Sequence, residues 1–338
     1  MSTPLISICI PVYNGEGYLK ACLDSALAQD YSEFEIVIVD DRSTDGSYDI
    51  AESYSVKSDK IKLYRNENNR GLVGNWNKCL EAAKGVWIKF LFQDDLLHPS
   101  CIRKMAEAAG ESNALVVSER SFRVEEQVPL EMKKYYEEEV LTLERIFSGH
   151  VPPFIAAAKV AELSVQYTSL NFIGEPTTIL FRKELINTLG VFEKNIYQIC
   201  DLEYWLRIGS RYGLITVPEP LTTFRVHTAS ATFNTISRKV YTAAYADPAI
   251  LSGKMLYDPV FAELRKNLPF KERQRLREYH YLKQYEAQLY KKEHPEVETP
   301  QSSVLERFPA YKKIQNGRLL TRLIHQFMVK RRIKQNKG

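Results

Sequence analysis

The sequence predicts an α/β architecture: a mostly parallel sheet with helices on both faces, followed by an α-helical C-terminal extension. Three observations carry this. Short β-branched runs alternate with helical stripes through the first half, the same rhythm returns from Thr177 to His227, and beyond about residue 235 only helical patterning remains. Ile6–Val12 and Phe34–Val39 read as buried strands closed by turn residues, with shorter versions at Lys62–Arg65 and Val86–Phe92. Between the first two, Tyr18, Leu19, Cys22, Leu23, Ala26 and Leu27 form one stripe at helical spacing. Asp45-Gly46-Ser47 opens a second helix after a capping cluster, and Val73, Trp76, Leu80 and Ala83 line a third. Residues 120–150 are charged and weakly periodic, which predicts a surface excursion. Thr178–Phe181 then reads as a strand, helices start at Arg182 and Leu202, and strands lie near Leu214–Val217 and Thr222–Val226. The C-terminal helices break at Pro248, Pro269, Pro295, Pro300 and Pro309. The expected division is residues 1–234, with halves at about 1–118 and 150–234, and a helical region at 235–338.

Composition narrows the function classes. With 338 residues, 44% hydrophobic and 26% charged, the chain can build a sizeable core, and disordered or fibrous classes fall away. Five widely spaced cysteines form no CxxC pair and no zinc-spaced cluster, which suits a reducing compartment. No leader-like or membrane-spanning stretch is evident, so a cytoplasmic location is expected. Residues 301–338 carry a net +9 and the remaining 300 a net −5, so any anionic partner belongs to the tail, and the body is no nucleic-acid binder.

In a parallel sheet the ligand site lies at the carboxyl ends of the strands, and four loops in or near that position hold polar chemistry. Pro11-Val12-Tyr13-Asn14-Gly15 follows the first strand, where Tyr13 offers a flat face to a base. Asp40 to Ser47 follow the second; a carboxylate there can accept a pyrimidine imide or ribose hydroxyls, or simply cap the next helix. Gln93-Asp94-Asp95 follow an apolar run, and adjacent carboxylates there suit a hard divalent cation or a solvated turn. Asp201 and Glu203 stand where a helix begins, a position that also favours plain capping, and His227 closes the last strand.

In combination these segments resemble the family 2 glycosyltransferases of the GT-A fold over roughly residues 4–232. The motifs are Pro11-Val12-Tyr13-Asn14, then Val39-Asp40-Asp41 with Ser43 to Ser47, the Asn-rich stretch Asn69 to Asn77, Phe90 to Asp95, Asp201 to Arg207 and Arg225-Val226-His227. The resemblance implies a GT-A type, Rossmann-like sheet and an inverting transfer from a nucleotide-diphosphate sugar to a hydroxyl of a glycan or lipid-linked acceptor. It implies that Pro11, Tyr13, Asn14, Asp40, Asn77 and Asp94 bind the nucleotide. Asp94, Asp95 and His227 would hold Mn²⁺ or Mg²⁺, and Asp201 would be the base. Glu175, Glu203 and Trp205 are expected at the acceptor. UDP or dTDP is the expected carrier, and surface polysaccharide synthesis the expected setting. The chain departs from the family pattern at Trp76, where Arg is usual, at Phe92, the first position of the DxD motif, and at Cys200, where Glu is usual.

Residues 316–338 alternate basic and apolar side chains as a basic amphipathic helix would; an anionic membrane surface is the partner expected for them, and a helix docked on the body with a solvated cationic face is the alternative. Two rivals remain at this level. A dehydrogenase or nucleotidyltransferase would need a glycine-rich phosphate loop, and Tyr13-Asn14-Gly15-Glu16-Gly17 is not one. A catalytically inactive GT-A-like scaffold is favoured by Phe92 and Cys200 and opposed by Asp40, Asp94, Asp201 and His227.

Overall fold

The structure, a computed structural model, describes residues 3–230, 242–296 and 304–308. Its first half is a run of strand–helix units: β1 (Ile6–Val12), α1 (Glu16–Leu27), β2 (Phe34–Asp40), α2 (Ser47–Ser55), β3 (Ile61–Arg65), α3 (Gly71–Ala82) and β4 (Trp87–Phe90). Then follow the short β5 (Leu96–Leu97), α4 (Cys101–Ala109) and the ten-residue β6 (Leu115–Val124). The excursion holds α5 (Leu130–Lys134), a π turn and α6 (Leu143–Ile146) before β7 (Phe154–Ile155), α7 (Ala157–Gln166), β8 (Ile179–Arg182), α8 (Leu185–Leu189), α9 (Cys200–Tyr212) and β9 (Leu214–Val226). Three further helices follow: α10 (Asp247–Tyr257), α11 (Ala262–Asn267) and α12 (Phe270–Glu293).

Among the described residues the strands form one mixed sheet in the order β3-β2-β1-β4-β8-β6-β9-β5, with β7 on β9. It is parallel from β3 through β4, with Ile8 opposite both Ile36 and Lys89; β8 then runs antiparallel between β4 and β6. β1 and β2 are buried at every position because both faces are covered. The two-residue period of a strand decides which side each residue serves. Ile8, Ile10, Ile36 and Ile38 pack with Leu19, Leu23 and Met105 on one side. Cys9, Val37 and Val39 pack with Val73, Leu80, Tyr204 and Leu206 on the other.

The sequence reading needs two corrections here. Part of the charged excursion is strand, since Phe122 and Val124 alternate with Arg123 and pair in register with Phe224 and Val226 of β9. The two strands expected after Gly213 are one, continuous through Pro218 and Pro220, and the prolines fall where the β6–β9 register shifts around Glu119. The described C-terminal helices share the main core, with Ile250, Leu251, Met255, Phe261 and Leu276 in the same cluster as Trp205 and Phe181. The boundary expected at 234 and the basic tail at 316–338 lie outside the described residues. No helix among those described is long and apolar enough to cross a membrane.

Candidate active site

The carboxyl ends of β1 and β2 are stitched together by short polar contacts. Asn14 adopts a positive φ of 49°, its N–H donates to Ser43 Oγ (3.0 Å) and its Oδ1 accepts from Thr44 N–H (2.8 Å). Tyr13 is exposed, and its backbone is clasped at both ends by the Gln93 amide, which accepts from its N–H (2.9 Å) and donates to its carbonyl (3.1 Å). That clasp explains Gly15, where a Cβ would stand 2.4 Å from the Gln93 side chain. Pro11 is buried within β1 and fixes the strand's exit without facing the cleft.

Asp40 departs from its expected place. It has no exposed surface, and its Oδ2 accepts from Arg65 Nε (3.1 Å) and Ser43 N–H (3.2 Å), so it holds the loop instead of meeting a base. Asp41 is buried as well and accepts from Asn66 Nδ2 (2.7 Å) and Arg70 N–H (2.8 Å). Asn66 continues to Asn75, which donates to the Val39 carbonyl (3.0 Å) and so ties α3 to β2. Asn77, expected at the nucleotide, clasps Phe192 instead, donating to its carbonyl and accepting from its N–H, both at 3.0 Å.

At the end of β4 the two aspartates part company. Asp94 keeps an exposed edge, and its Oδ2 stands 3.1 Å from His227 Nε2. His227 is stacked on Tyr18, with ring centroids 4.1 Å apart, and its buried Nδ1 has no partner. Asp95 is buried, its oxygens taken by Thr177 Oγ1 (2.6 Å) and Arg225 N–H (3.1 Å), so it does not face a cation as expected. Burial, together with the charge of Asp94, holds its carboxyl well above the usual range. Arg225 fastens the corner: its Nε donates to the Asp94 carbonyl, its Nη2 to the Tyr18 carbonyl (3.2 Å), and its guanidinium lies 4.9 Å from the Tyr18 ring centre. Lys89, fully buried in β4, donates to the Thr177 carbonyl.

No three His, Cys, Asp or Glu side chains gather into a metal cluster among the described residues. Asp94, with its exposed edge, and the His227 imidazole beside it nevertheless offer the donors that suit a divalent cation taking its other ligands from phosphate and water. Phe92 and Trp76, both departures from the family pattern, touch each other with ring centroids 4.8 Å apart. A charged side chain is thus absent from both positions at once, replaced by an aromatic contact that also reaches Phe192.

α9 begins with Cys200, a buried thiol, and Asp201, which is 9% exposed. Asp201 accepts from Asn171 Nδ2 (2.8 Å) and Leu202 N–H (2.7 Å). Burial, with a contribution from the charge of Glu175, pushes its carboxyl up to about 7. The charge of Glu175 adds to the rise of Asp95 as well, and Glu175 forms an ion pair with the buried Arg120 at 2.6 Å. Glu203 and Trp205 do not face an acceptor. Glu203 is fully buried between Arg207 and Lys254, and Trp205 is fully buried among Phe181, Phe192 and Tyr204.

Comparison with known proteins now bears on this geometry. Residues 7–186, more than half of the chain, match the glycosyl transferase family 2 description. The chain belongs to the family 2 glycosyltransferases. An uncharacterized Mycobacterium tuberculosis protein, MT1568, is 36% identical over 227 residues, 67% of this chain and 68% of that one. Further curated relatives align over only about a third of their own length. TarS of S. aureus, solved as residues 1–349 in complex with UDP-GlcNAc, superimposes over 82% of this chain and 79% of its own with a TM-score of 0.53 at 18% identity. The mannosyltransferase PcManGT of Pyrobaculum calidifontis, in complex with GDP-Man and Mn²⁺, covers 100% of this chain and 89% of its own with a TM-score of 0.52 at 16% identity. At these identities the likeness is one of fold, and that fold is GT-A.

Sequence reasoning gives no role to Arg65, Asn66, Asn75, Gln93, Asn171, Thr177 or Arg225. Each works by hydrogen-bonding a partner distant in the chain, which no local motif reports. Asn75, Gln93 and Arg225 carry a signal, since they lie within the Asn-rich stretch, beside Asp94-Asp95 and before Val226-His227.

Proposed function

We propose that this glycosyltransferase moves a sugar from UDP or dTDP to a hydroxyl of a glycan or lipid-linked acceptor, inverting the anomeric carbon, in surface polysaccharide synthesis. The observation that carries this is Asp201. It is a carboxylate at the start of α9, raised by burial to about 7, where a base is strong enough to take a proton yet about half ionised at neutral pH.

The residues divide the work. The exposed ring of Tyr13 offers a stacking face to the base of the nucleotide. Asp94 and His227 would hold the divalent cation, which neutralises charge developing on the diphosphate as the glycosidic bond breaks. Asn171 orients Asp201 through its amide, leaving the other face of the carboxylate to receive the acceptor proton. The acceptor oxygen attacks from the side opposite the leaving group, so one displacement inverts the centre and no covalent intermediate forms. Glu175 and Arg120 flank this path and bring charge to the acceptor side. The basic tail at 316–338 would keep the enzyme at an anionic membrane surface, on the cytoplasmic side, where a lipid-linked acceptor is presented.

Turnover with a panel of UDP-, dTDP-, GDP- and CDP-sugars, each with Mn²⁺ or Mg²⁺, tests the reading. Activity with UDP or dTDP donors is expected. Binding of these nucleotides without any turnover would favour the inactive scaffold.

A further inference from the structure

We propose that Asp247, in the C-terminal helical region, is a positioning residue that sets the start of α9 and thereby holds Asp201 in place. The inference rests on Asp201 acting as the base and adds a second element to that site. Three observations carry it. First, α9 has no cap of its own: its N-cap is Ile199, an apolar residue with no side-chain oxygen to offer. Second, Asp247 is fully buried, and its Oδ2 accepts from the N–H groups of Tyr197 (3.1 Å) and Gln198 (2.5 Å). Those residues lead directly into Cys200 and Asp201. Third, α10 grips the same segment two turns further along. Lys254 Nζ reaches Glu193 (3.0 Å) before the loop and Glu203 (3.2 Å) inside α9.

The segment 193–203 is thus held from outside at both ends by one helix. Asp201 lies between the grips, and its own bonds to Asn171 and Leu202 fix the carboxylate only if the backbone beneath it stays put. Burying a carboxylate to bond backbone N–H groups is costly, and burial pushes Asp247 up to about 6 while those donors draw it back. A general structural role could be met by an apolar residue at this position; a carboxylate aimed at the consecutive N–H groups of Tyr197 and Gln198 is specific to this loop. The helical region is therefore part of the catalytic apparatus.

The test compares the full chain with Asp247→Asn, and with Asp247→Glu should the first fail to fold. Amide hydrogen exchange is read across residues 197–202, and the titration of the Asp201 carboxyl carbon is followed by NMR, assigned by its absence in Asp201→Asn. The expected result is at least tenfold faster exchange confined to 197–202 and an Asp201 titration displaced from its wild-type midpoint. Unchanged exchange and an unchanged midpoint would overturn the proposal. So would exchange that quickens evenly over the whole chain, since that marks ordinary stabilisation. Turnover of Asp201→Asn separates the two readings. If that variant is fully active, Asp201 is not the base, whatever Asp247 does; if it is dead while Asp247→Asn turns over normally, only the positioning fails.

Discussion

The end of β4 and the start of α9 each present two carboxyl groups close together in sequence, and the fold separates each pair in the same sense by different means. At β4, Asp94 keeps an open edge beside His227, while its neighbour Asp95 is buried and held by Thr177 and Arg225. At α9, Asp201 faces Asn171 while Glu203, half a turn on, is sealed between Arg207 and Lys254. Desolvation without a counter-cation raises Asp95 and Asp201, whereas Glu203 sits bidentate on a guanidinium. The proposed function gives the chemistry to one member of each pair and leaves the other to build the wall behind it. Residue type alone does not tell them apart; the partners do.

The predictions that break or sharpen this contrast differ in size. Removing the base should cost most: Asp201→Asn is expected to lower turnover by roughly 10²–10⁴-fold with nucleotide affinity unchanged, read by steady-state kinetics and calorimetry. The same variant should melt higher than wild type at pH 8. The reason is one of sign: a carboxyl raised to about 7 in the folded state keeps its proton from about pH 4 to 7, where the unfolded chain has lost it. Its contribution to stability therefore falls as pH rises through that window, and Asn preserves the neutral form. Turnover of the wild type should rise across the same interval as Asp201 ionises.

Glu203→Ala should spare nucleotide affinity yet destabilise the protein by about 3–5 kcal/mol in urea unfolding, because Arg207 and Lys254 are left buried with a carboxylate missing. A loss of acceptor affinity at intact stability would restore Glu203 to the acceptor site. Smallest of all, Asn77→Ala removes two hydrogen bonds to Phe192 and should cost about 1–2 kcal/mol without altering UDP affinity. A large fall in affinity there would return Asn77 to the nucleotide.

How much of this was legible in the sequence follows from how far each argument had to reach. β1 and β2 were clear, because a strand covered on both faces is an unbroken apolar run. Asp94, Asp201 and His227 stand out in the sequence because each lies where an element begins or ends. The inward turn of Asp40 was hidden because Arg65, 25 residues on, draws it there. Asn77 was misplaced because its partner Phe192 is 115 residues away. Glu203 and Trp205 are expected at the acceptor because they follow Asp201 at the start of a helix; α7 and α11 pack against that helix, and residues 200–210 are buried all round. In each case a helix or strand was read correctly and its neighbour was not.

The most direct test of the account is calorimetric titration of UDP, with and without Mn²⁺, into the wild type and into Asp94→Asn. Wild-type binding that tightens at least tenfold with Mn²⁺, and an Asp94→Asn protein that no longer responds to the ion, is the predicted result. UDP and dTDP that fail to bind the wild type with or without Mn²⁺, or an Mn²⁺ response untouched in Asp94→Asn, would contradict it.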